Sequence, residues 1–234
     1  MKHAITLLML AIVPGWAAAD GLLQPYDAQY EVQWGGMALG KAQISLERLA
    51  DQAKADECFV YTSKTKPNAL VRMFYGKPVE QAQFCVEDGA VRSRWLHFSN
   101  SKQDDDFKLQ FDWSKNQVRG PGDQLRELQP HSVDRFSMQE ALRLWVMQNA
   151  GATDVAPRKL LMVEDDRVRA YEFRISGEQR VETPAGSFDA VLVDRIDDPK
   201  KTVRFWFAPQ KGYQIVRFER SREGKPTVVM ALLQ

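Results

Sequence analysis

The sequence predicts a mainly β fold: a strongly curved antiparallel sheet or partly open barrel of about twelve strands, with one main α-helix. Residues 188–233 contain four apolar, β-branched and aromatic runs separated by short turn clusters. Connections this short pair neighbouring runs as hairpins. Runs of similar length recur between residues 26 and 175. About twelve strands are more than a small flat sheet holds, and curvature or barrel closure is therefore expected.

Residues 1–19 carry the pattern of a secretory signal peptide. Lys2 supplies a short positive region, residues 4–13 are apolar, and Ala17-Ala18-Ala19 offers a cleavage site. A membrane anchor needs about 20 apolar residues, and this run is shorter. We therefore expect a single β-rich domain over residues 20–234 that is soluble and periplasmic, and that does not span the membrane.

The charge balance argues against nucleic acid as a partner. The chain carries a formal charge of +1, and removal of residues 1–19 takes away Lys2 and no carboxylate, which leaves 0. Nucleic-acid binding needs a basic field, and a neutral surface of mixed charge lacks one.

The two cysteines, Cys58 and Cys85, both lie in strand-like runs of the exported sequence. An oxidising compartment permits a disulfide between them, which would join two strands. Two buried free thiols are the alternative. A metal site is not expected, because only His97 and His131 remain as nitrogen ligands after signal removal, and no cofactor is predicted.

One helix is predicted between Ser137 and Gly151. Ser137 and Glu140 have the spacing of a capping box, and a glycine just past the last turn is typical of a helix end. The apolar face comprises Met138, Ala141, Leu142, Trp145 and Val146. This helix either covers one side of the curved sheet or forms a lid over a ligand cavity.

Three further local predictions concern a turn, a strand and a loop. Asp88-Gly89 between two strand-like runs favours a tight primed hairpin turn, because both central residues need positive φ. Leu70–Tyr75 is interpreted as a strand, and residues 120–131 as a loop.

No catalytic signature is present. The chain has no G-x-S-x-G nucleophile elbow, His97 lies in an alternating strand, and His131 lies in the loop before the helix. The acidic clusters fall where turns or strand ends are predicted and lack the alternating pattern of a calcium loop; they are residues 104–106, 164–166 and 197–198. We expect a protein that is not an enzyme, with a hydrolase built from carboxylates or His97 as an alternative.

The aromatic residues are the candidates for a binding site. The final strands are apolar on both faces, so one face can meet the helix while the other lines a concave interior. The candidate apolar pocket comprises Trp34, Trp95, Trp113, Trp145, Phe205 and Phe207. The alternative is that these rings form a packed core.

Several motifs together resemble an exported bacterial family known as domain-of-unknown-function family 3108. They are Tyr30-x-Val32-x-Trp34 followed by Gly40, Phe111-Asp112-Trp113, residues 134–143, Thr183-x-Ala185-Gly186-x-Phe188, and Phe205-Trp206-Phe207-Ala208-Pro209 with Tyr213. The resemblance covers nearly all of the mature chain. It implies an envelope location and a β-rich fold, and it implies no reaction.

A curved sheet with a helix in its concavity is also similar, more distantly, to the periplasmic lipoprotein carriers and their receptors. That resemblance implies an apolar cavity for acyl chains. The resulting hypothesis is a non-catalytic periplasmic module that binds a hydrophobic, lipid-like ligand. The alternative is an envelope protein with a fully packed core that acts through a protein partner.

Overall fold

The computed structural model describes residues 23–50, 57–101 and 106–234. The predicted signal peptide lies outside these residues. Within them, fifteen strands form one sheet. The strands are β1 Tyr26–Trp34, β2 Met37–Arg48, β3 Glu57–Pro67, β4 Pro78–Glu87, β5 Ala90–Asn100, β6 Phe107–Asp112, β7 Gln117–Arg119, β8 Leu125–Glu127, β9 Ser132–Val133, β10 Arg158–Val163, β11 Val168–Thr183, β12 Gly186–Arg195, β13 Lys201–Ala208, β14 Gln214–Arg222 and β15 Lys225–Leu232. The helices are α1 Ala69–Tyr75 and α2 Ser137–Gln148.

The first and last strands pair at the middle of the sheet, with Tyr30 opposite Leu232. From β1 the strands follow in sequence order to β8 on one side, and from β15 back to β9 on the other. Every pairing is antiparallel except the parallel pair β9–β10. The prediction of a mainly β protein with a curved antiparallel sheet is confirmed. The number of strands is higher than predicted, because β7, β8 and β9 are too short to show an alternating pattern.

The Asp88-Gly89 turn has the predicted geometry. Asp88 has φ 51° and Gly89 has φ 72°, and Glu87 pairs with Ala90 across the turn. Positive φ at both central residues is the signature of a type I′ hairpin, whose twist matches that of the flanking strands.

The strand predicted at Leu70–Tyr75 is wrong, because this segment forms helix α1. The Asn68 side chain accepts a hydrogen bond from the backbone N–H of Val71 at 2.9 Å, and Gly76 ends the helix at φ 69°. An asparagine before the first turn and a glycine after the last are standard helix boundaries. The apolar run carries no alternation that would favour a strand.

Helix α2 lies inside the concave sheet and is buried around most of its circumference. Its buried residues are Ser137, Glu140, Leu142, Arg143, Leu144, Trp145 and Val146. Leu144 belongs to a core that includes strands from both halves of the sheet, among them β3 with Tyr61 and β12 with Leu192. Leu142, Trp145 and Val146 belong to a second core formed with the C-terminal strands. The helix therefore packs against strands of both halves of the sheet. No helix in the described part of the chain is long and apolar enough to cross a membrane.

The predicted disulfide between Cys58 and Cys85 is present. The two cysteines lie directly opposite each other on β3 and β4. The bond closes a loop of 28 residues (85 − 58 + 1), and this loop contains α1.

Replacing both cysteines, Cys58→Ala with Cys85→Ala, is expected to lower the free energy of unfolding by about 3 to 4 kcal/mol, because the unfolded chain regains the freedom of this loop. Urea denaturation with and without dithiothreitol measures the effect. Reductant should shift the midpoint of the natural protein and leave the double variant unchanged. A natural protein that is insensitive to reductant, with two free thiols by mass, would contradict the expectation.

Candidate functional site

The segment leading into α2 is held by one buried carboxylate, Asp134. It accepts hydrogen bonds from the hydroxyls of Ser93 (2.6 Å) and Ser137, and from the backbone N–H groups of Phe136 (2.9 Å) and Ser137 (3.0 Å). Burial raises the pKa of the Asp134 carboxyl, and these donors oppose the rise only in part. Because Ser93 belongs to β5, the contact joins the start of α2 to the N-terminal half of the sheet.

This arrangement corrects the predicted capping box of Ser137 and Glu140. The Ser137 hydroxyl donates to Asp134 instead of accepting from the helix backbone. Asp134 accepts hydrogen bonds from the backbone N–H groups of Phe136 and Ser137 at the start of the helix. Glu140 forms an ion pair with Arg143 instead of closing a capping box. A single residue upstream of Ser137 therefore carries out the capping.

Glu140 and Arg143 form a buried ion pair on another side of α2. The two side chains are each 2% exposed, and Arg143 Nη1 lies 3.1 Å from Glu140 Oε2. The Tyr26 hydroxyl donates to Glu140 Oε1 at 2.8 Å. Arg143 also donates to the carbonyls of Gly212 (2.9 Å) and Gln24 (3.1 Å). These contacts join α2 to the start of β1 and to the turn before β14.

The six aromatic residues predicted to form one pocket are not brought together. Trp145, Phe205 and Phe207 pack in the core around α2. Trp34 is exposed at the end of β1. Trp95 donates to the Gln83 side chain.

Trp113 donates to the carbonyl of Ser93 at 2.8 Å and is half-buried. Of the six predicted residues, only Phe205 lines the cleft described next. The structure therefore does not gather the six rings around one cavity, because α2 packs into the interior that these rings were expected to line.

A cleft of about 430 Å³ opens beside the first turn of α2. Apolar side chains on its walls include Phe136, Met138, Phe173, Val203, Phe205 and Phe218. Charged side chains on its walls include Glu80, Arg135, Glu164, Arg195 and Arg220. The cleft lies where β10–β14 face β4 across the start of the helix. The two edge strands of the sheet, β8 and β9, are not paired with each other, so the barrel is left partly open.

A second hollow of about 360 Å³ adjoins the cleft and shares Arg135, Met162, Glu164 and Arg220 with it. It extends toward Leu96 on β5 and Phe107 on β6. The two hollows therefore meet around two arginines: Arg135, from the loop before α2, and Arg220, from β14.

Arg135 lies at the junction of these hollows. It forms an ion pair with Glu80, and its guanidinium lies 5.4 Å from the ring centre of Phe136 and 5.5 Å from that of Phe98. Burial lowers the pKa of the guanidinium, while Asp165 and Glu164 raise it. Its Nε–H is buried and meets no acceptor among the described residues. A buried donor without a partner favours an additional acceptor at this position.

Two of the remaining charged side chains of the cleft, Glu164 and Arg195, have partners of their own. Glu164 accepts from the Tyr171 hydroxyl at 3.1 Å and from Arg167 at 2.9 Å. Arg195 lies 3.0 Å from Asp197 and 4.6 Å from the ring centre of Tyr171. Burial, followed by Glu164, raises the pKa of Tyr171.

Arg220 forms no ion pair within the described part of the chain and lines both hollows. The walls of the cleft carry three arginines against two carboxylates. The cleft is therefore suited to an apolar group that ends in a negative charge.

Neither His97 nor His131 shares a groove with a carboxylate in the described part of the chain. His97 lines a shallow groove with Gln81, Trp95 and Lys108, and the residues lining that groove include no carboxylate. His131 lies in the loop before α2 with φ 66°. Among the described residues, no group of three His, Cys, Asp or Glu side chains could hold a metal ion.

The family model for a protein of unknown function, DUF3108, matches residues 29–230. The chain belongs to the DUF3108 family. No curated protein matches it.

Two solved structures are similar to this DUF3108 protein. One is a β-barrel-like protein of domain of unknown function DUF1849 from Brucella abortus, with 14% identity, a TM-score of 0.51, and coverage of 90% of this chain and 96% of the other. The other is a "putative lipoprotein" from Parabacteroides distasonis, with 10% identity, a TM-score of 0.45, and coverage of 91% and 95%. The first supports the barrel-like fold.

Sequence reasoning missed the arginines of the cleft. A signal was present, because Arg220 shares the parity of Phe218 on β14, and Arg195 shares that of Val193 on β12. An arginine in register with inward-facing apolar residues indicates a charge at the mouth of the interior.

Proposed function

We propose that this DUF3108 protein is a non-catalytic binding module of the cell envelope that holds an amphiphile with an apolar tail and an anionic head. The observation that carries the proposal is the convergence of Arg135, Arg195 and Arg220 on a cleft with apolar walls. Its volume of about 430 Å³ falls in the range of about 300 to 1,000 Å³ of small-molecule sites.

The proposed division of the ligand follows from the walls. The tail lies against Met138 and Phe218, which are only half-buried, so a ligand that covers them removes apolar surface from water. Phe173 and Phe205 are already buried and form the floor beneath it. The head lies against Arg220 and the free Nε–H of Arg135. Charge-assisted hydrogen bonds to guanidinium groups are the strong polar contacts available there.

Two features support export to the periplasm as part of the proposal. The first is the signal-peptide pattern of residues 1–19. The second is the Cys58–Cys85 disulfide, since disulfides persist in oxidising compartments.

Binding of dodecanoate to the mature protein, measured by isothermal titration calorimetry, tests the function. Dodecyltrimethylammonium has a tail of the same length and the opposite charge, and it is expected to bind at least tenfold more weakly. Arg220→Glu is expected to weaken dodecanoate binding by about tenfold or more, because a hydrogen bond to a charged group contributes about 1.5 to 3 kcal/mol.

Met138→Trp places an indole ring, which is larger than the methionine side chain, in the cleft and is expected to abolish binding. It should not unfold the protein, because residue 138 is only half-buried. Arg174→Glu is the matched control, because Arg174 is exposed and adjoins Phe173 without lining the cleft. Equal affinity for the two amphiphiles, or equal loss in Arg220→Glu and Arg174→Glu, would refute the assignment of the head to the arginines.

A second function is favoured by the way α2 fills the concavity. A fully packed interior is the arrangement expected of an envelope interaction module. Absence of any bound amphiphile in native mass spectra of the mature protein, before and after incubation with envelope lipids, would support that alternative.

A further inference from the structure

Helix α1 is an apolar helix with no buried residue. Leu70, Met73, Phe74 and Tyr75 are 66%, 56%, 63% and 65% exposed. Scattered apolar side chains on a surface are ordinary, whereas a contiguous apolar patch marks a site of contact. Fold stability does not explain this helix, because its large side chains contribute little to the core.

Two more exposed apolar side chains lie on the hairpin beside α1. Asn68, which caps the helix, donates from its backbone to the carbonyl of Leu39 (2.8 Å) and from its side chain to that of Ala38 (2.9 Å). Trp34 and Met37 face each other across the turn that precedes these residues, and they are 41% and 60% exposed.

We call these six residues the apolar rim: Trp34, Met37, Leu70, Met73, Phe74 and Tyr75. The rim contains six of the nine large apolar side chains that are exposed in the described part of the chain. The exposed apolar surface is therefore concentrated at one end of the protein.

The segment that carries α1 is basic. Residues 58–79 contain Lys64, Lys66, Arg72 and Lys77 and no carboxylate, and none of the four cations forms an ion pair within the described residues. Lys41 on β2 lies opposite Lys66. The whole chain, by contrast, is nearly balanced, with 32 basic and 31 acidic residues. The local excess of cations complements an anionic surface.

We propose that the apolar rim docks this end of the protein onto a lipid membrane surface that contains anionic headgroups. Apolar side chains flanked by lysine and arginine are the composition of segments that lie in the membrane interface. The side chains enter the boundary between headgroups and acyl chains, and the surrounding cations meet the phosphates.

A second copy of the chain is a poorer occupant. A helix of seven residues is about 10 Å long, whereas a stable interface buries about 800 Å² on each partner. A symmetric contact would also bring the cations of one copy against those of the other.

The rim and the cleft share the same end of the sheet. The Asn100 side chain, at the end of β5, donates to the carbonyl of Tyr75 at 3.0 Å. The backbone N–H of Lys77 donates to the Ser101 hydroxyl at 2.9 Å. Glu80, three residues beyond Lys77, lines the cleft. Docking would place the cleft near the membrane, although docking does not depend on the cleft holding a ligand.

Flotation of the mature protein with vesicles tests the proposal. Vesicles of phosphatidylglycerol mixed with phosphatidylcholine are compared with vesicles of phosphatidylcholine alone. We expect binding to the anionic vesicles to be at least tenfold stronger and to weaken as salt is raised. Leu70→Ser with Phe74→Ser should reduce the partition coefficient by more than tenfold, since each buried apolar side chain contributes about tenfold.

Lys66→Glu with Lys77→Glu should remove the preference for phosphatidylglycerol and leave the weak binding to phosphatidylcholine. Leu125→Ser is the matched control, because Leu125 is 55% exposed on β8 and lies outside the rim. All variants alter exposed side chains, so thermal unfolding should be unchanged within a few degrees.

Three results would overturn docking on lipid: no flotation with either vesicle, equal flotation of the rim variant and Leu125→Ser, or a dimer in sedimentation that the rim variant disperses. The rim variant should retain its affinity for dodecanoate in free solution. Failure of docking is thereby separated from failure of the cleft to bind an amphiphile.

Discussion

Replacing Arg143 by methionine is expected to lower the free energy of unfolding by about 3 to 5 kcal/mol, because it leaves the Glu140 carboxylate buried without its cation. Glu140 is 2% exposed in the native protein, so water does not replace the guanidinium. The carbonyls of Gly212 and Gln24 lose a donor as well. The tyrosine hydroxyl of Tyr26 remains the partner of Glu140, and it carries no compensating charge.

Urea denaturation of Arg143→Met at pH 7 measures this loss. The matched control is the double variant Glu140→Gln with Arg143→Met, which removes both charges and keeps an acceptor for Tyr26. It should recover a large part of the stability, since a buried ion pair contributes little compared with two neutral groups. Arg174→Met, at an exposed site, should change stability by about 0.5 kcal/mol or less. A double variant as unstable as the single one would show that the loss comes from packing and not from the unpaired charge.

The same ion pair shows why the environment of α2 could not be read from the sequence. The apolar positions of residues 137–148 correctly predict a helix and one of its apolar faces. Glu140 and Arg143 look like residues of a solvated face, yet both are buried. Their partners come from residues 26 and 212, which are 114 and 69 positions away. Local periodicity shows where a helix is apolar, and it does not show that the helix is enclosed.

Strands and turns were predictable where the pattern is local. Asp88-Gly89 specifies its hairpin by the φ values that the turn needs, and the alternating runs give most strand positions. The prediction failed at α1, where every position is apolar or basic and only the boundary residues Asn68 and Gly76 distinguish a helix from a strand. It also failed at β7 and β8, whose three residues each are too few to reveal a period.

The candidate cleft was predictable only in its chemistry. An apolar interior with aromatic walls follows from strands that are apolar on both faces, and Phe205, one of the six candidate residues, lines the cleft. The position of the cleft depends on how far α2 fills the concavity and on which strand ends remain apart. Both are set by long-range contacts such as Ser93 with Asp134, 41 residues apart.

The polar anchors of α2 also bear on binding. Phe136 and Met138, which line the cleft, lie two and four residues after Asp134. A shift of the first turn of α2 would therefore move the wall of the cleft. Stability variants at Asp134 and binding variants at Met138 report on the same structural element.

Replacing Asp134 by alanine is expected to lower the free energy of unfolding by about 3 to 4 kcal/mol. The cap of α2 contributes about 1 to 2 kcal/mol, and the hydroxyls of Ser93 and Ser137 are left buried without their acceptor, at a cost of about 1 to 3 kcal/mol. Asp134→Asn is the matched variant, because its amide oxygen can still accept from the helix N–H groups. It should be destabilised less than the alanine variant in urea at pH 7.

The pH dependence of the unfolding free energy tests the contribution of the Asp134 charge, because Asp134→Asn has nearly the same shape and carries no charge. Burial raises the pKa of this carboxyl above the ordinary value of 3.8, so the folded protein binds a proton more readily than the unfolded chain. The contribution of Asp134 to stability is therefore greatest below pH 3.8, and it falls as the pH rises through the folded-state pKa. The difference in unfolding free energy between the natural protein and Asp134→Asn, measured in urea from pH 3 to pH 7, should decrease as the pH rises. A difference that increases with pH would mean that the four donors outweigh burial and hold the folded-state pKa below 3.8.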